Sequence, residues 1–267
     1  SPQPGNDKPR QFYHSDGTAL NRLGFNSPGM YVVARNLEKY RISEAPIGIS
    51  LGKNKDIEPK YAPEAHAAVV RQLLYPKYPV RWYTINVSSP NTPGLRELQD
   101  KEPLTDIVHA VQQAAVVVTP LFIKIAPDLT YEATDDVIQV AIDNKISGII
   151  VANTTIDTDL KSRYGWRNEA GGLSGNDPEF RKMSTKIIAH IYRQVGQDLD
   201  IIGIGGVNSA ETALEKIKAG AKAVQVVTGV REIGPTLPGR INRGLVESMN
   251  REGIKSISEY VGSYSDS

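Results

Sequence analysis

The feature that most restricts the fold of this chain is a series of six short apolar runs that are continuous rather than alternating. Runs of this length, rich in Ile and Val, are typical of parallel strands that are buried on both faces. Each of the six is therefore interpreted as a strand. They lie at 45–52, 81–89, 120–127, 148–155, 200–207 and 223–229.

Segments with helical periodicity lie between these runs. The segment 177–196 begins with Asp-Pro, a favourable helix start, and 209–220 has a serine cap and ends on glycine. Strand and helix therefore alternate, which predicts a parallel α/β architecture in one domain, 1–267. Within it, 45–262 would hold the strand–helix units, and 1–44 connecting loops with a short helix. Further helices are predicted at 30–41, 63–75, 103–115, 131–144 and 240–253.

Two α/β arrangements compete, an open doubly wound sheet and a closed (β/α)8 barrel. Polar residues and glycines follow every apolar run rather than one switch point, which favours the TIM barrel, whose site is built from all strand ends. Six strands are visible, and the chain begins in a loop-like segment, "SPQPGNDKPRQF". We therefore expect the first two of eight barrel strands to be missing from this chain.

Composition and charge argue against several functional classes. The net charge of +1 indicates no nucleic-acid partner, and the absence of cysteine excludes disulfides, thiolate metal sites and a cysteine base. The four histidines lack ligand spacing, so no metal site is predicted, and His66, His109 and His190 are expected on outer helix faces. No apolar run approaches the ~20 residues of a membrane span.

The glycines after the last two strands predict a phosphate site. Gly205 with Gly206, and Thr228 with Gly229, leave backbone N–H groups unobstructed before a helix, and helix N-termini attract anions. A third glycine-rich segment, 170–175, is expected to be a loop before the 177–196 helix. Tight turns would explain any one of these glycines, but three such segments at successive strand ends favour phosphate.

Polar side chains at the other strand ends predict a planar, partly anionic ligand. Lys124 lies inside an apolar run that offers no acid, so a ligand with developing negative charge, such as a reduced flavin, is favoured over a structural ion pair. Asn86, Asn91 and Asn153 supply donors and acceptors together, which suits a pyrimidine or flavin ring. For a single asparagine, loop capping would be the simpler reading.

The motifs that carry these residues occur together in one known family. "NVSSPNTPGLR", "KIAPDL", "NTT", "GGLSG" and "IIGIGGV" follow one another, preceded by "PQPGN", "NRLGFNSPG" and "LGKNK". The sequence resembles the class 2 dihydroorotate dehydrogenases, the quinone-dependent and membrane-associated type, from about residue 2 to 262. The first motif with the spaced second and third is highly specific, whereas a lone "IGGV" would be weak.

The resemblance implies an FMN enzyme that oxidises dihydroorotate to orotate in pyrimidine biosynthesis and passes the electrons to a quinone. Ser89 would be the catalytic base that takes the C5 proton, helped by water and Thr92, while hydride leaves C6 for FMN. The residues implied to bind substrate are Asn21, Phe25, Asn86, Asn91, Asn153 and Thr154. Those implied to bind FMN are Ser50, Asn86, Lys124, Ala152, Ser174, Gly175, Gly205, Gly206, Val227 and Thr228.

The chain also departs from the family. Many members have asparagine where Ser50 stands, and the family's first strands and membrane-binding helices are not in this sequence. The resemblance therefore implies an N-terminally truncated form. The intact protein would be a peripheral protein of the bacterial cytoplasmic or mitochondrial inner membrane, attached through the absent segment.

Two alternatives remain at this point. One is another FMN-dependent pyrimidine oxidoreductase, such as a dihydropyrimidine or dihydrouridine reductase, which the serine pair disfavours because those enzymes rely on cysteine. The other is a non-catalytic, truncated barrel fragment that keeps the motifs.

Overall fold

The computed structural model describes residues 1–39, 46–74, 78, 80–115 and 118–264, which form two β-sheets surrounded by helices. The strands are β1 (Gln11–Tyr13), β2 (Thr18–Asn21), β3 (Ile47–Leu51), β4 (Val80–Asn86), β5 (Leu121–Ile125), β6 (Gly148–Val151), β7 (Gly172–Gly175), β8 (Asp200–Ile204) and β9 (Ala223–Gln225). The helices are α1 (Met30–Glu38), α2 (Ala62–Gln72), α3 (Lys101–Ala114), α4 (Tyr131–Asp143), α5 (Thr158–Ser162), α6 (Pro178–Val195), α7 (Ala210–Lys218), α8 (Thr228–Ile233) and α9 (Leu237–Glu252). Short 3-10 helices span Pro59–Tyr61, Arg96–Gln99 and Ile257–Glu259.

The larger sheet is parallel, and its strand order is β3-β4-β5-β6-β8-β9. Spatial order thus follows chain order without a reversal, so the sheet has no switch point, as in a barrel and unlike a doubly wound fold. All six predicted strands are present, each ending one to four residues before its predicted end, and residue 45, the first of the earliest prediction, lies outside the described residues. The sheet with its helices has the architecture of an α/β half-barrel. Two of the described strands, β3 and β9, lie at its edges.

Residues that lie side by side on neighbouring parallel strands are buried together, which explains why the apolar runs are continuous. Ile85, Ile123 and Ile149 are paired in register, and all three are fully buried in the main core. The next row holds Asn86 beside Lys124 and then Ile150. One face of the sheet therefore packs under the helices, while the last residues of the strands carry polar groups.

The helices cover the sheet with apolar stripes and begin at identifiable caps. Thr130 caps α4, Asp177 caps α6, and Ser209 forms a capping box with Thr212 at the start of α7. Such caps satisfy backbone N–H groups that have no partner within the helix. All seven predicted helices are confirmed with shifts of a few residues, although residues 40 and 41 of the first prediction and residue 75 of the second lie outside the described residues.

The smaller sheet corrects two predictions. Residues 1–44 were expected to hold loops and a short helix, and 170–175 a loop, yet β1, β2 and β7 form an antiparallel sheet in the order β1-β2-β7. The turn between β1 and β2 places Gly17 at φ 86°. Strands of three or four residues leave almost no periodic signal in the sequence. Because β2 also pairs with a strand about 150 residues away, the local sequence could indicate neither these short strands nor their pairing.

The two sheets are joined beside the C-terminal end of β6. The backbone groups of Thr155 and Leu173 exchange hydrogen bonds of 3.1 and 2.8 Å, and Leu173 packs with Leu20, Leu160 and Phe180 in a small core. The antiparallel sheet is thereby fixed over the ends of the parallel strands.

One histidine differs from its expected position. His66 is fully buried on the inner face of α2 rather than on an outer face, and its Nδ1 lies 2.7 Å from the carbonyl oxygen of Ala62. Burial lowers the pKa of His66 to about 4, so the ring is neutral at physiological pH.

Among the described residues, no helix combines the length and apolar character needed to cross a membrane.

Candidate functional site

A cavity of about 650 Å³ lies between the C-terminal ends of the parallel strands and the antiparallel sheet. Parallel strands point their carboxyl ends to the same edge, so residues distant in sequence converge there. The lining combines polar side chains with exposed backbone. It includes Tyr13, Asn21, Lys124, Ala152, Asn153, Thr154, Ser174, Gly175, Asn176, Gly205, Gly206, Asn208, Gln225, Val227, Thr228 and Arg231.

A network of amides and hydroxyls links the ends of β3, β4 and β6. The Ser88 hydroxyl donates to Asn86 Oδ1 (3.0 Å) and accepts from Asn153 Nδ2 (3.0 Å). Asn86 Nδ2 in turn donates to Ser50 Oγ at 3.3 Å, and the Thr154 backbone N–H donates to Asn153 Oδ1 at 2.8 Å. These bonds hold the asparagine side chains in one orientation at the cavity.

The loop after β4 brings Ser89 close to the small sheet. Ser89 is buried, and its hydroxyl accepts the Asn91 backbone N–H at 3.3 Å. Asn91 Nδ2 donates to the carbonyl oxygen of Asn21, a residue that lines the cavity. The Thr92 hydroxyl is buried and has no hydrogen-bond partner among the described residues. Ser89 and Thr92 are therefore both buried in a loop that the Asn91–Asn21 hydrogen bond ties to the cavity.

Lys124 brings a positive charge to the cavity wall. Burial alone lowers the pKa of Lys124 to about 8, and no carboxylate in the described part of the chain offsets that effect. An ammonium group desolvated without a partner favours a neighbour that supplies negative charge. Thr154 also lines the cavity, and its hydroxyl is buried without a hydrogen-bond partner among the described residues.

Glycines and hydroxyls also line the cavity. Gly205 and Gly206 have φ values of 110° and 71°, which residues with side chains rarely adopt, and an added Cβ on Gly206 would collide with the Arg181 side chain. Ser174 and Thr228 share a hydrogen bond of 3.1 Å between their hydroxyls. Thr228 is also the first residue of α8, so a helix begins at the cavity wall.

Most of the residues predicted from the sequence come together in the lining. Phe25, Ser50, Asn86, Ser89 and Asn91 do not line the cavity, but Ser50, Asn86, Ser89 and Asn91 join it through the hydrogen bonds described above. Ser50 is exposed on the edge strand β3, and Val227 is exposed at the rim. Phe25 packs against the backbone of Gly52.

Three charged residues at the site were not identified from the sequence. Arg96 pairs with Asp128 at 2.8 Å between Nη1 and Oδ2, between the loop after β4 and the end of β5. At the cavity mouth, the Arg231 guanidinium lies 4.2 Å from the centre of the Tyr13 ring. Arg96 and Asp128 stand within the quoted motifs, but a charged loop residue is usually solvated, so no local signal marked them.

No group of three or more His, Cys, Asp or Glu side chains that could hold a metal ion occurs in the described ranges. The groups that line the cavity are therefore amides, hydroxyls, backbone N–H groups, the cations of Lys124 and Arg231, and the carboxylates of Asp16 and Glu232.

Comparisons with known proteins agree in one family. A family model described as dihydroorotate dehydrogenase matches residues 1–249. The curated dihydroorotate dehydrogenase (quinone) of Brucella abortus (strain S19) is 43% identical over 266 residues, 97% of this chain and 71% of that protein. The relative from Brucella melitensis biotype 2 (strain ATCC 23457) is 42% identical over the same length.

Solved structures give the same result. The crystal structure of DHODH from Eimeria tenella in complex with ferulenol superposes with a TM-score of 0.89 at 34% identity, over 98% of this chain and 76% of that one. The structure of the ligand-free type from the same organism has a TM-score of 0.87 at 33% identity, and the match covers 98% of this chain and 79% of that one.

Proposed function

Because this chain belongs to the dihydroorotate dehydrogenase family, we propose that the protein oxidises dihydroorotate to orotate in pyrimidine biosynthesis, with FMN as cofactor and a quinone as electron acceptor. The observation that carries this proposal is the partly buried ammonium of Lys124, which has no anionic partner among the described residues. It lines the same cavity as Asn153 and Thr154 and so provides charge where a reduced flavin would need it.

The cavity residues fit FMN. The backbone N–H groups at Gly205 and Gly206 would bind the phosphate, together with the Ser174 and Thr228 hydroxyls, which line the same cavity. Lys124 would provide the cation at the other end, near the ring. The residues proposed to hold FMN are Ser50, Asn86, Lys124, Ala152, Ser174, Gly175, Gly205, Gly206, Val227 and Thr228.

The asparagines and the Ser89 loop serve the substrate in this proposal. Hydrogen bonds from asparagine amides fix the pyrimidine ring, and fixed orientation contributes much of an enzyme's rate. Ser89, as the general base, removes the proton from C5 of dihydroorotate. Thr92, whose buried hydroxyl has no hydrogen-bond partner among the described residues, would pass that proton on through water. The residues proposed to contact substrate are Asn21, Phe25, Asn86, Asn91, Asn153 and Thr154.

FMN, when bound, supplies the redox chemistry by accepting two electrons from the substrate and releasing them to the quinone. The chain's own contribution at that stage is electrostatic. The Lys124 ammonium stabilises negative charge at the ring, and it does so strongly because the group is shielded from water.

The quinone acceptor places the protein at a membrane surface. Quinones of electron-transfer chains are lipid-soluble, so a peripheral attachment to the bacterial cytoplasmic or mitochondrial inner membrane is the arrangement we propose. Flotation of the protein with vesicles that contain a quinone would test this localisation.

Replacing Ser89 tests the function directly. In Ser89→Ala, anaerobic reduction of the bound flavin by dihydroorotate should slow by about 10²- to 10⁴-fold, the usual contribution of a general base. Stopped-flow absorbance of the flavin measures this rate. Ser258→Ala, an exposed serine in the short helix near the C-terminus, is the matched control.

The same measurement excludes the alternatives. Reduction at the wild-type rate in Ser89→Ala would show that the base is another group. Flavin reduction by dihydrouracil rather than dihydroorotate would indicate a different pyrimidine oxidoreductase. A colourless purified protein that does not take up added FMN would indicate a scaffold without catalysis.

A further inference from the structure

The side chain of Arg96 connects three strand ends at the site. Its Nε donates to the carbonyl oxygen of Ser88 at 3.2 Å, and its Nη2 donates to the carbonyl oxygen of Thr154 at 3.0 Å. Its Nη1 donates to Asp128 Oδ2 at 2.8 Å. Ser88 follows β4, Asp128 follows β5 and Thr154 follows β6. One guanidinium therefore spans the C-terminal ends of three consecutive parallel strands.

Asp128 extends this connection along the segment after β6. Its Oδ1 accepts a hydrogen bond from the Thr155 hydroxyl and another, of 3.2 Å, from the Ile156 backbone N–H. The side chains of Arg96 and Asp128 are only 21% and 18% exposed, so this ion pair is far better shielded than a surface pair. The carboxylate thus holds residues 155 and 156 while the guanidinium holds residue 154.

The backbone of Arg96 is itself fixed. Gln99 Nε2 donates to the Arg96 carbonyl oxygen at 3.2 Å, and Gln99 Oε1 accepts the Ala126 backbone N–H at 2.9 Å, just past the end of β5. Gln99 is buried. The arginine therefore extends from a rigid base rather than from a mobile loop.

We propose that Arg96 is a positioning residue for dihydroorotate oxidation, which sets Ser89 and Asn153 in place by holding the carbonyls of their chain neighbours, Ser88 and Thr154. This inference rests on the proposed function of Ser89. A shift of about 1 Å in a reacting group can cost roughly 10²-fold in rate, so a residue that touches neither substrate nor cofactor can control the chemical step.

A lysine cannot take over this role. The three acceptors lie around one planar guanidinium, which offers five N–H donors in fixed directions, whereas an ammonium is a point donor on a flexible chain. Arg96→Lys keeps the charge opposite Asp128 but loses at least one of the two carbonyl contacts. The fork geometry, rather than the charge alone, is therefore what the inference requires.

The experiment compares Arg96→Gln, Arg96→Lys and Asp128→Asn in the flavin-loaded protein. At saturating dihydroorotate, flavin reduction should slow by at least tenfold in both Arg96 variants and by a smaller factor in Asp128→Asn. Reoxidation of the reduced flavin by a quinone, which does not use Ser89, should stay within about twofold of wild type. Flavin content and melting temperature are measured in the same samples.

The control is Arg71→Gln, which removes an exposed ion pair with Glu64 on the outer helix α2 and should leave both half-reactions unchanged. Wild-type reduction is measured first, because its absence would refute the proposed function rather than this inference. Given an active wild type, unchanged reduction in the Arg96 variants would overturn the inference. A wild-type rate of flavin reduction in Arg96→Lys would also overturn it. The same would follow if both half-reactions slowed in parallel and flavin was lost, because Arg96 would then serve stability alone.

Should the Arg96 variants fail to fold, Asp128→Asn decides the question, because it keeps the size of the side chain and the Oδ1 acceptor for Thr155 and Ile156. Selective slowing of flavin reduction in that variant supports the inference, and a wild-type rate overturns it.

Discussion

Several lysines in this molecule are buried or partly buried. The groups that each one contacts distinguish a structural role from a role in ligand binding. Lys53 Nζ donates to the carbonyl oxygens of Asn54 and Ile57, at 3.1 and 2.7 Å. Lys216 Nζ reaches the Arg181 carbonyl oxygen at 2.8 Å and two hydroxyls of α6. Lys124 has no such set among the described residues. Buried charges are normally neutralised or hydrogen-bonded, so Lys124 is the lysine whose surroundings favour a bound anion.

The pKa values of two of these lysines predict how stability depends on pH. Burial lowers the pKa of Lys124 to about 8 and that of Lys216 to about 7, from the usual lysine value of 10.5. Between about pH 7 and pH 10 the unfolded chain therefore binds more protons than the folded chain, and the free energy of unfolding rises with pH. Thermal unfolding of the flavin-free protein at pH 7, 8 and 9 should give increasing melting temperatures.

Lys124→Met tests the residue itself. The change removes a desolvated ammonium, so the flavin-free protein should become more stable at pH 7, by up to about 3 kcal/mol, and the pH dependence should flatten. Affinity for FMN should fall at the same time. A variant less stable than wild type at pH 7 would contradict the view that Lys124 is held without a protein partner.

At the scale of elements, the close approach of β7 to the end of β6 shapes the site. Gly172 in β7 is buried, and a Cβ there would overlap the Thr154 side chain. The Thr154 side chain can therefore keep its place against β7 only because position 172 carries no side chain. The pairing of β7 with β2 sets this distance, with Gly172 opposite Asn21.

Gly172→Ala should consequently displace Thr154 and destabilise the fold by about 1–3 kcal/mol, as overpacking usually does. Urea unfolding measures the loss, and the KM for dihydroorotate should rise in the flavin-loaded protein. The matched control is Gly239→Ala in α9, where an added Cβ meets nothing within 4 Å. That change should stabilise the protein by roughly 0.5–1 kcal/mol, because alanine favours a helix over glycine. Equal effects at the two positions would contradict the packing argument.

At the scale of the whole molecule, the cavity exists because two sheets meet. The parallel sheet provides Lys124, Asn153 and the glycines at 205 and 206, while the antiparallel sheet closes the opposite side with Asn21 and Ser174. A ligand that contacts both sheets should couple their stabilities, because binding to the folded state alone raises the free energy of unfolding.

FMN should therefore raise the melting temperature of the flavin-free protein, by an amount equivalent to about 2.7 kcal/mol at a concentration 100-fold above Kd. Riboflavin, which has the ring without the phosphate, should stabilise it much less if the glycines and the Ser174 and Thr228 hydroxyls bind phosphate. Differential scanning fluorimetry with both ligands measures this difference. Equal shifts would show that the phosphate contributes nothing at this site.

The sequence by itself determined the parallel strands, the helices between them and the barrel-type arrangement, because a strand buried on both faces is apolar throughout and a helix repeats every 3.6 residues. It also predicted which polar groups end the strands, such as Asn86, Lys124 and Asn153. The periodicity of the apolar residues and the polar residues at the strand ends are both local features, so each can be read from one short segment of the chain.

Only the tertiary structure decided the antiparallel sheet and the connections that complete the site. β2 meets β7 across about 150 residues, and each is too short to carry a periodic signal. Arg96 gains its three acceptors from the ends of three different strands, so no sequence neighbour could reveal its role. The physical reason is the same in both cases: these contacts join segments whose proximity results from packing of the whole chain.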